Sequence, residues 1–243
     1  MKVSVSIITL NEEKNIARCL ESLQGIADEI VVVDSYSTDQ TKQICEKYQV
    51  KFIEQNFLGY VAQKNFADAQ TKYDWILSLD ADETLSEKLR TEILYLKQNT
   101  PSNEAYQMPR LTNYIGKWIK HTDWYTDKKI RLYKKNIAKW EGKDLHEQIA
   151  TQVAIGTLKG DILHYSYYSI SQHITQLNKF TDIAAKEAQQ RGKKAPLFKV
   201  FLNPLWKFIY SYFLRLGFLD GYKGFLVCAI SAFATFSKYI KIK

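Results

Sequence analysis

An α/β fold, with a mostly parallel sheet flanked by helices, is predicted here by three observations. Over the first hundred residues, strand-like and helix-like segments alternate four times, which is the rhythm of βαβ units. Three of the four strand-like runs are continuously apolar, as strands covered on both faces are. Those same three runs end in polar or acidic residues, at the carboxyl edge where open α/β sheets bind ligands.

The elements follow in order. Residues 3–10 (VSVSIITL) are rich in β-branched side chains and read as a buried strand. Residues 11–23 (NEEKNIARCLESL) place Ile16, Leu20 and Leu23 at helical spacing. Residues 28–34 (DEIVVVD) predict a second strand, and 37–48 (STDQTKQICEKY) open with capping residue types and continue as a helix. Residues 50–55 predict a short third strand and 60–70 a helix. Residues 73–80 (YDWILSLD) predict a fourth strand, and 86–98 a helix with Leu89, Ile93 and Leu96 on one face. After residues 99–103 (NTPSN) the rhythm changes to strands and loops dense in Tyr and Trp. Residues 156–167 read as another strand, and a helix is predicted from Ser169 to about Gln190.

Of the 243 residues, 46% are hydrophobic and 25% charged, the balance of a folded globular chain. Three cysteines without paired short spacing argue against a disulfide framework and against a Cys-rich zinc site. The N-terminus lacks the long apolar core of a signal peptide, so a cytoplasmic protein is expected. The formal net charge is +8, but the first 190 residues hold 24 basic and 25 acidic residues, so the excess belongs to the tail. With no basic face on the folded body, nucleic acid is excluded as a partner.

Three strand ends carry the polar groups: Thr9 to Glu13 after the first, Asp34 to Asp39 after the second, and Asp80 to Glu83 after the fourth. Helix capping explains Asn11 and Asp39 about as well as ligand binding does. It explains Asp34, Asp80 and Asp82 poorly, because acids at the ends of buried strands need a counter-charge or water. A magnesium or manganese ion carried in by a diphosphate supplies that counter-charge through hard oxygen ligands. A lone D-x-D is a weak signal, but its place after the fourth strand, with polar ends on two others, strengthens it.

The segments SIITLNEEKNIARCLESL, EIVVVDSYSTDQT, AQKNFA and WILSLDADE together resemble the family 2 glycosyltransferases, inverting enzymes of the GT-A fold. The resemblance runs through the first 100 residues and implies a nucleotide-diphosphate sugar as donor, a UDP-sugar first among them. It implies that Thr9, Asn11 and Glu12 line the nucleotide pocket, that Asp34 binds the base, and that Lys64 lies near the nucleotide. Asp80 would approach the ribose or donor sugar, and Asp82 would hold the metal, Mg²⁺ or Mn²⁺. The segments KIRLYKK and WEGKDLHEQI resemble the bacterial lipopolysaccharide-core subgroup, which implies a lipid-linked glycan acceptor. Glu147 is the candidate base for the acceptor hydroxyl, with His146 to orient it, touch the phosphates or ligate the metal. The family's usual E-D base pair is missing here. Arg131 is a candidate for the donor phosphates, which a guanidinium matches bidentately.

The tail carries thirteen of the 33 aromatic residues, with Lys199, Lys207 and Arg215 at eight-residue intervals. Apolar and aromatic bulk opposite basic residues predicts amphipathic helices lying in a membrane interface, attracted by anionic lipid. Its longest uncharged run, residues 224–237, is shorter than the roughly 20 residues a spanning helix needs. The alternative is a helical pair packed on the catalytic domain or on another subunit. The expected organisation is a GT-A domain over residues 1–192 and a membrane-associating helical appendage over 193–243. Within the domain, 1–100 would bind the nucleotide sugar and 101–168 the acceptor. A metal-dependent transferase on the inner face of the cell membrane is thus expected. Its rivals are a sugar nucleotidyltransferase, which would want a Gly-rich loop after the first strand, and a non-catalytic membrane-bound scaffold.

Overall fold

The computed structural model describes residues 1–125, 128–142 and 147–242. It divides into two compact units, one of Met1–Arg110 with Lys128–His164 and the other of Leu111–Asp127 with Tyr165–Lys243.

The first unit is built on a parallel sheet of β1 (Val3–Thr9), β2 (Glu29–Asp34), β3 (Lys51–Glu54) and β4 (Trp75–Asp80), in the order β3-β2-β1-β4. The chain moves outward from β1 to β3 and then returns to β1's other side as β4. The switch in strand order therefore falls between β1 and β4. Thr9 is the register partner of Asp34, and Ile8 that of Asp80, so the three polar strand ends lie at one edge.

Helices α1 (Ile16–Ser22), α2 (Thr41–Lys47), α3 (Tyr60–Ala69) and α4 (Glu87–Gln98) alternate with these strands. On one face Val3, Val5, Ile7 and Val32 pack with Ile16, Cys19 and Leu20 of α1 and Leu89 and Ile93 of α4. On the other face Val31 and Val33 pack with Ala67 of α3. Both faces are covered, which is why these strands read as unbroken apolar runs. Ser86 caps α4 by accepting the N–H of Leu89 at 3.3 Å.

Two differences from the sequence reading matter for the site. A short strand β5 (Glu83–Leu85) stands between Asp82 and α4. Residues 156–167, expected as one strand, fall in two. After β6 (Ala105–Tyr114), β7 (Lys117–Ile119), β8 (Lys128–Lys134), β9 (Lys139–Glu141) and β10 (Gln148–Ala150) come β11 (Ile155–Thr157) and β12 (Ile162–Tyr167). Strand β8 joins β4 antiparallel and β6 joins β8, extending the parallel sheet. The first half of β12 pairs antiparallel with β5. Gly160, just before β12, runs so close to α4 that a Cβ there would fall 2.2 Å from the amide nitrogen of Leu89.

The second unit holds β7 paired with the end of β6, and three helices: α5 (Ile170–Gln190), α6 (Leu197–Ile209) and α7 (Gly221–Ile242). Tyr114, Ile119 and Val227 form a small core, and His173 of α5 lies 3.0 Å from the Tyr114 hydroxyl through Nδ1. Between α6 and α7 the chain makes a widened helical turn at Tyr210–Leu214 and a tight one at Gly217–Asp220.

Candidate active site

The loops leaving β1 and β2 are tied to each other. The Asn11 N–H donates to Ser37 Oγ at 2.7 Å, and Asn11 Oδ1 accepts the N–H of Thr38 at 2.8 Å. Asp39 accepts the N–H groups of Glu13 and of Thr41, the first residue of α2, at 3.0 and 2.9 Å. Asn11 (φ 55°) and Tyr36 (φ 62°) both sit in the left-handed region, where a residue with a Cβ carries backbone strain. Asp34 is buried, with both oxygens engaged by Ser37: the Oγ–H at 2.5 Å and the N–H at 2.7 Å.

Glu12 stands among other acids. Burial pushes its carboxyl up to about 7; a bond from Asn15 Nδ2 at 2.7 Å opposes this, while the charges of Asp82, Asp39 and Asp80 add to it.

The acids after β4 take three different environments. Asp80 is bracketed by cations, with Lys64 Nζ bonded to one oxygen and Arg131 Nη2 3.0 Å from the other. Burial works against its charge, but Lys64 and Arg131 hold its carboxyl well below the usual carboxylate range. Glu83 is fully buried; it accepts the N–H of Asp80 at 3.0 Å, lies 3.2 Å from Arg131 Nη2, and faces Arg110 Nη1 at 3.6 Å. Trp140, on β9, lies against both cations, with its ring centroid 4.5 Å from Lys64 Nζ and 5.4 Å from the Arg131 guanidinium carbon.

Asp82 meets a residue to which the sequence reading gave no role. Its Oδ2 lies 3.1 Å from Nε2 of His164, on β12. Burial disfavours the imidazolium, yet the Asp82 carboxylate, by charge and by hydrogen bond, raises the His164 pKa above its ordinary value.

Among the described residues, the buried side-chain atoms without a hydrogen-bond partner are Thr9 Oγ1, Arg131 Nε and Nη1, and His164 Nδ1. All belong to this cluster or its strand ends. Buried polar atoms are nearly always satisfied in folded proteins, so these four unpartnered atoms stand out. A separate surface concavity lined by Asn65, Asp68, Ala69, Ala150 and residues 135–139 contains none of these atoms.

The structure thus brings Asp80, Asp82, Lys64 and Arg131 into one cluster and sets Thr9, Asn11, Glu12 and Asp34 on the neighbouring strand ends. Glu147 sits just before β10, partly exposed. His146 lies outside the described residues. Among the described residues no group of three or more His, Cys, Asp or Glu side chains is arranged to hold a metal by itself. Asp82 and His164 would supply two ligands, and the remainder would have to come from substrate and water, as is common for magnesium and manganese. Sequence reasoning missed His164 and left Glu83 unassigned.

An acid-rich switch point on a doubly covered parallel sheet is where open α/β folds bind their ligands. Comparison with known proteins gives the class. Residues 4–156 match the family described as Glycosyl transferase family 2. An uncharacterized glycosyltransferase of Rickettsia typhi is 36% identical over 100% of this chain and 87% of its own length. The lipopolysaccharide core biosynthesis glycosyltransferase LpsC of Rhizobium meliloti is 29% identical over 98% of this chain and 92% of its own. In fold, S. aureus TarS aligns over 98% of this chain and 55% of that one, at 17% identity and a TM-score of 0.48. The chain belongs to the family 2 glycosyltransferases: it is a glycosyltransferase of the GT-A fold, as its first hundred residues implied.

Proposed function

We propose that this enzyme transfers a sugar, with inversion, from a nucleoside-diphosphate sugar to a lipid-linked glycan at the inner face of the membrane. The observation that carries the donor reading is the set of orphaned polar atoms on Thr9, Arg131 and His164, in and beside the Asp80–Asp82 cluster. Arg131 is anchored through Nη2 by Asp80 and Glu83, which leaves Nε and Nη1 to donate to diphosphate oxygens. Thr9, Asn11, Glu12 and Asp34 line the nucleoside end, and Lys64 fixes Asp80 toward the ribose or sugar.

Asp82 and His164 would hold the divalent cation. A Mg²⁺ or Mn²⁺ ion bound there supplies charge neutralisation for the leaving diphosphate. In the transfer the acceptor hydroxyl attacks the anomeric carbon from the side opposite the diphosphate. Glu147 takes the hydroxyl proton, the new glycosidic bond forms, and the sugar–phosphate bond breaks with its electron pair going to the nucleoside diphosphate. The acceptor assignment is supported by the likeness to LpsC and by the apolar, basic segment at residues 193–243, read as a membrane-associating appendage.

The test is donor hydrolysis across a panel of nucleotide sugars, UDP-sugars first, with manganese and then with chelator. Turnover of one donor that stops on chelation supports the reading. Turnover indifferent to chelation removes the metal, and absence of nucleoside-diphosphate binding removes the donor site.

A further inference from the structure

Helix α6 is turned inside out. Leu197, Phe198, Phe201, Leu202, Leu205 and Trp206 are each 57–63% exposed. At 100° per residue they fill an arc of about 180° on one side of the helix. The opposite arc holds Val200, Asn203 and Lys207, and these face protein. Val200 is buried, Asn203 Nδ2 donates to the Tyr239 hydroxyl at 2.7 Å, and Lys207 pairs with Asp123, which also accepts from Ser211 Oγ at 2.6 Å. A helix on the surface of a water-soluble domain does the reverse. The apolar exposure continues past the helix through Phe213, Leu214, Phe218 and Leu219.

Helix α7 behaves differently, although Gly217–Ile242 contains an 18-residue stretch of mean hydropathy 1.5 and is long and apolar enough to cross a membrane. It is tied down at both ends. Buried Asp220, just before it, accepts the N–H groups of Lys120 and His121 at 3.3 and 2.8 Å and lies 3.1 Å from His121 Nδ1. Near its C-terminus Lys241 Nζ donates to Asn178 Oδ1 and Thr181 Oγ1 at 2.7 and 2.8 Å and pairs with Asp182 at 2.7 Å. Along its length Gly224, Val227, Cys228 and Ile230 are buried. Crossing a bilayer would break these contacts.

We infer that the outward face of α6 is a membrane-docking surface that inserts into one leaflet of an anionic bilayer, while α7 stays with the protein as its brace. The occupant follows from charge. Residues 193–243 hold nine basic residues and one acid, and Lys193, Lys194 and Lys199 are exposed at the N-terminal end of α6. A second copy laid on this face would set like charges together, whereas phosphatidylglycerol headgroups neutralise them. The inference rests on the reading of this tail as membrane-associated and on none of the sugar-transfer residues.

The test uses the full chain and vesicles of phosphatidylcholine with or without phosphatidylglycerol. Flotation is expected with the anionic vesicles and release by alkaline carbonate. Bromolipids should quench Trp206, read as the difference between the native chain and Trp206→Phe. The double variant Phe201→Asp/Leu205→Asp, checked by its thermal melt, should bind vesicles roughly a hundredfold more weakly. Unchanged flotation of a folded double variant overturns the inference. So does resistance to carbonate, which would make α7 a span. A concentration-dependent dimer that the double variant abolishes overturns it in favour of a second copy. Donor hydrolysis is measured separately without vesicles. Hydrolysis without flotation sinks this inference alone, and flotation without hydrolysis sinks the transfer reading alone.

Discussion

Asp82 Oδ2 and His164 Nε2 lie 3.1 Å apart because Glu83 and His164 are register partners across β5 and β12. An oxygen from the turn just before β5 and a nitrogen from β12 form a preset pair that a diphosphate-bound cation would complete. Asp82→Ala is therefore expected to abolish donor turnover, and His164→Ala to lower manganese affinity by about 10–100-fold or more. Calorimetric titration of manganese in the presence of nucleoside diphosphate checks this. Unchanged affinity in both variants would remove the pair from the metal site.

Glu83 holds the charge network together. It is fully buried and faces Arg131, Arg110 and the N–H of Asp80. Truncating it leaves buried guanidinium charge with less compensation, and breaking a buried pair costs about 3–5 kcal/mol. Glu83→Ala should lower the melting temperature by roughly 10 °C. Glu83→Gln, which keeps an oxygen for the Asp80 amide, should lower it less. A melt that does not move in Glu83→Ala would show that the network is not what stabilises this edge.

The parallel half of the fold was legible because its signals are local. Apolar runs, helical spacing and acids at strand ends can each be read within a dozen residues, and β1 to α4 stand close to where the sequence puts them. The site was legible only where it follows the chain. WILSLDADE has no basic residue beside it, so its charge pointed to an incoming cation. For Asp80 the counter-charge is internal, supplied by Lys64 from α3 and Arg131 from β8. The β5–β12 pairing spans some 80 residues, and register between strands that far apart leaves no mark in a single sequence. That is why His164 went unnoticed. The tail's composition was readable, but its orientation was not: spacing put Lys207 with Lys199 and Arg215 on a basic face toward anionic lipid, and the structure turns it inward onto Asp123.

If Glu147 is the base, its loss should act on the chemical step. Glu147→Gln is expected to lower kcat for transfer by about 10²–10⁴-fold, with donor affinity unchanged. Pre-steady-state transfer and nucleotide-sugar binding, measured on the same protein, separate the two. A rise in KM with kcat intact would instead make Glu147 a binding residue.

Glu12 gives a prediction with a definite sign. Its folded pKa lies near 7, against an ordinary value of 4.5, chiefly because burial disfavours its charge. Below both values the residue is protonated in both states and contributes nothing. Between them the unfolded chain releases its proton while the folded chain keeps it, so stability falls as pH rises from about 4.5 to 7 and then levels. Glu12→Gln removes that loss and keeps an acceptor for Asn15. The variant should therefore be more stable than the native chain at pH 8, by about 1–3 kcal/mol. The difference should shrink toward zero as the pH is lowered to 4.5. Urea melts at a series of pH values measure it directly, and a difference that is flat with pH would mean that Glu12 ionises as freely in the folded chain as in the unfolded one.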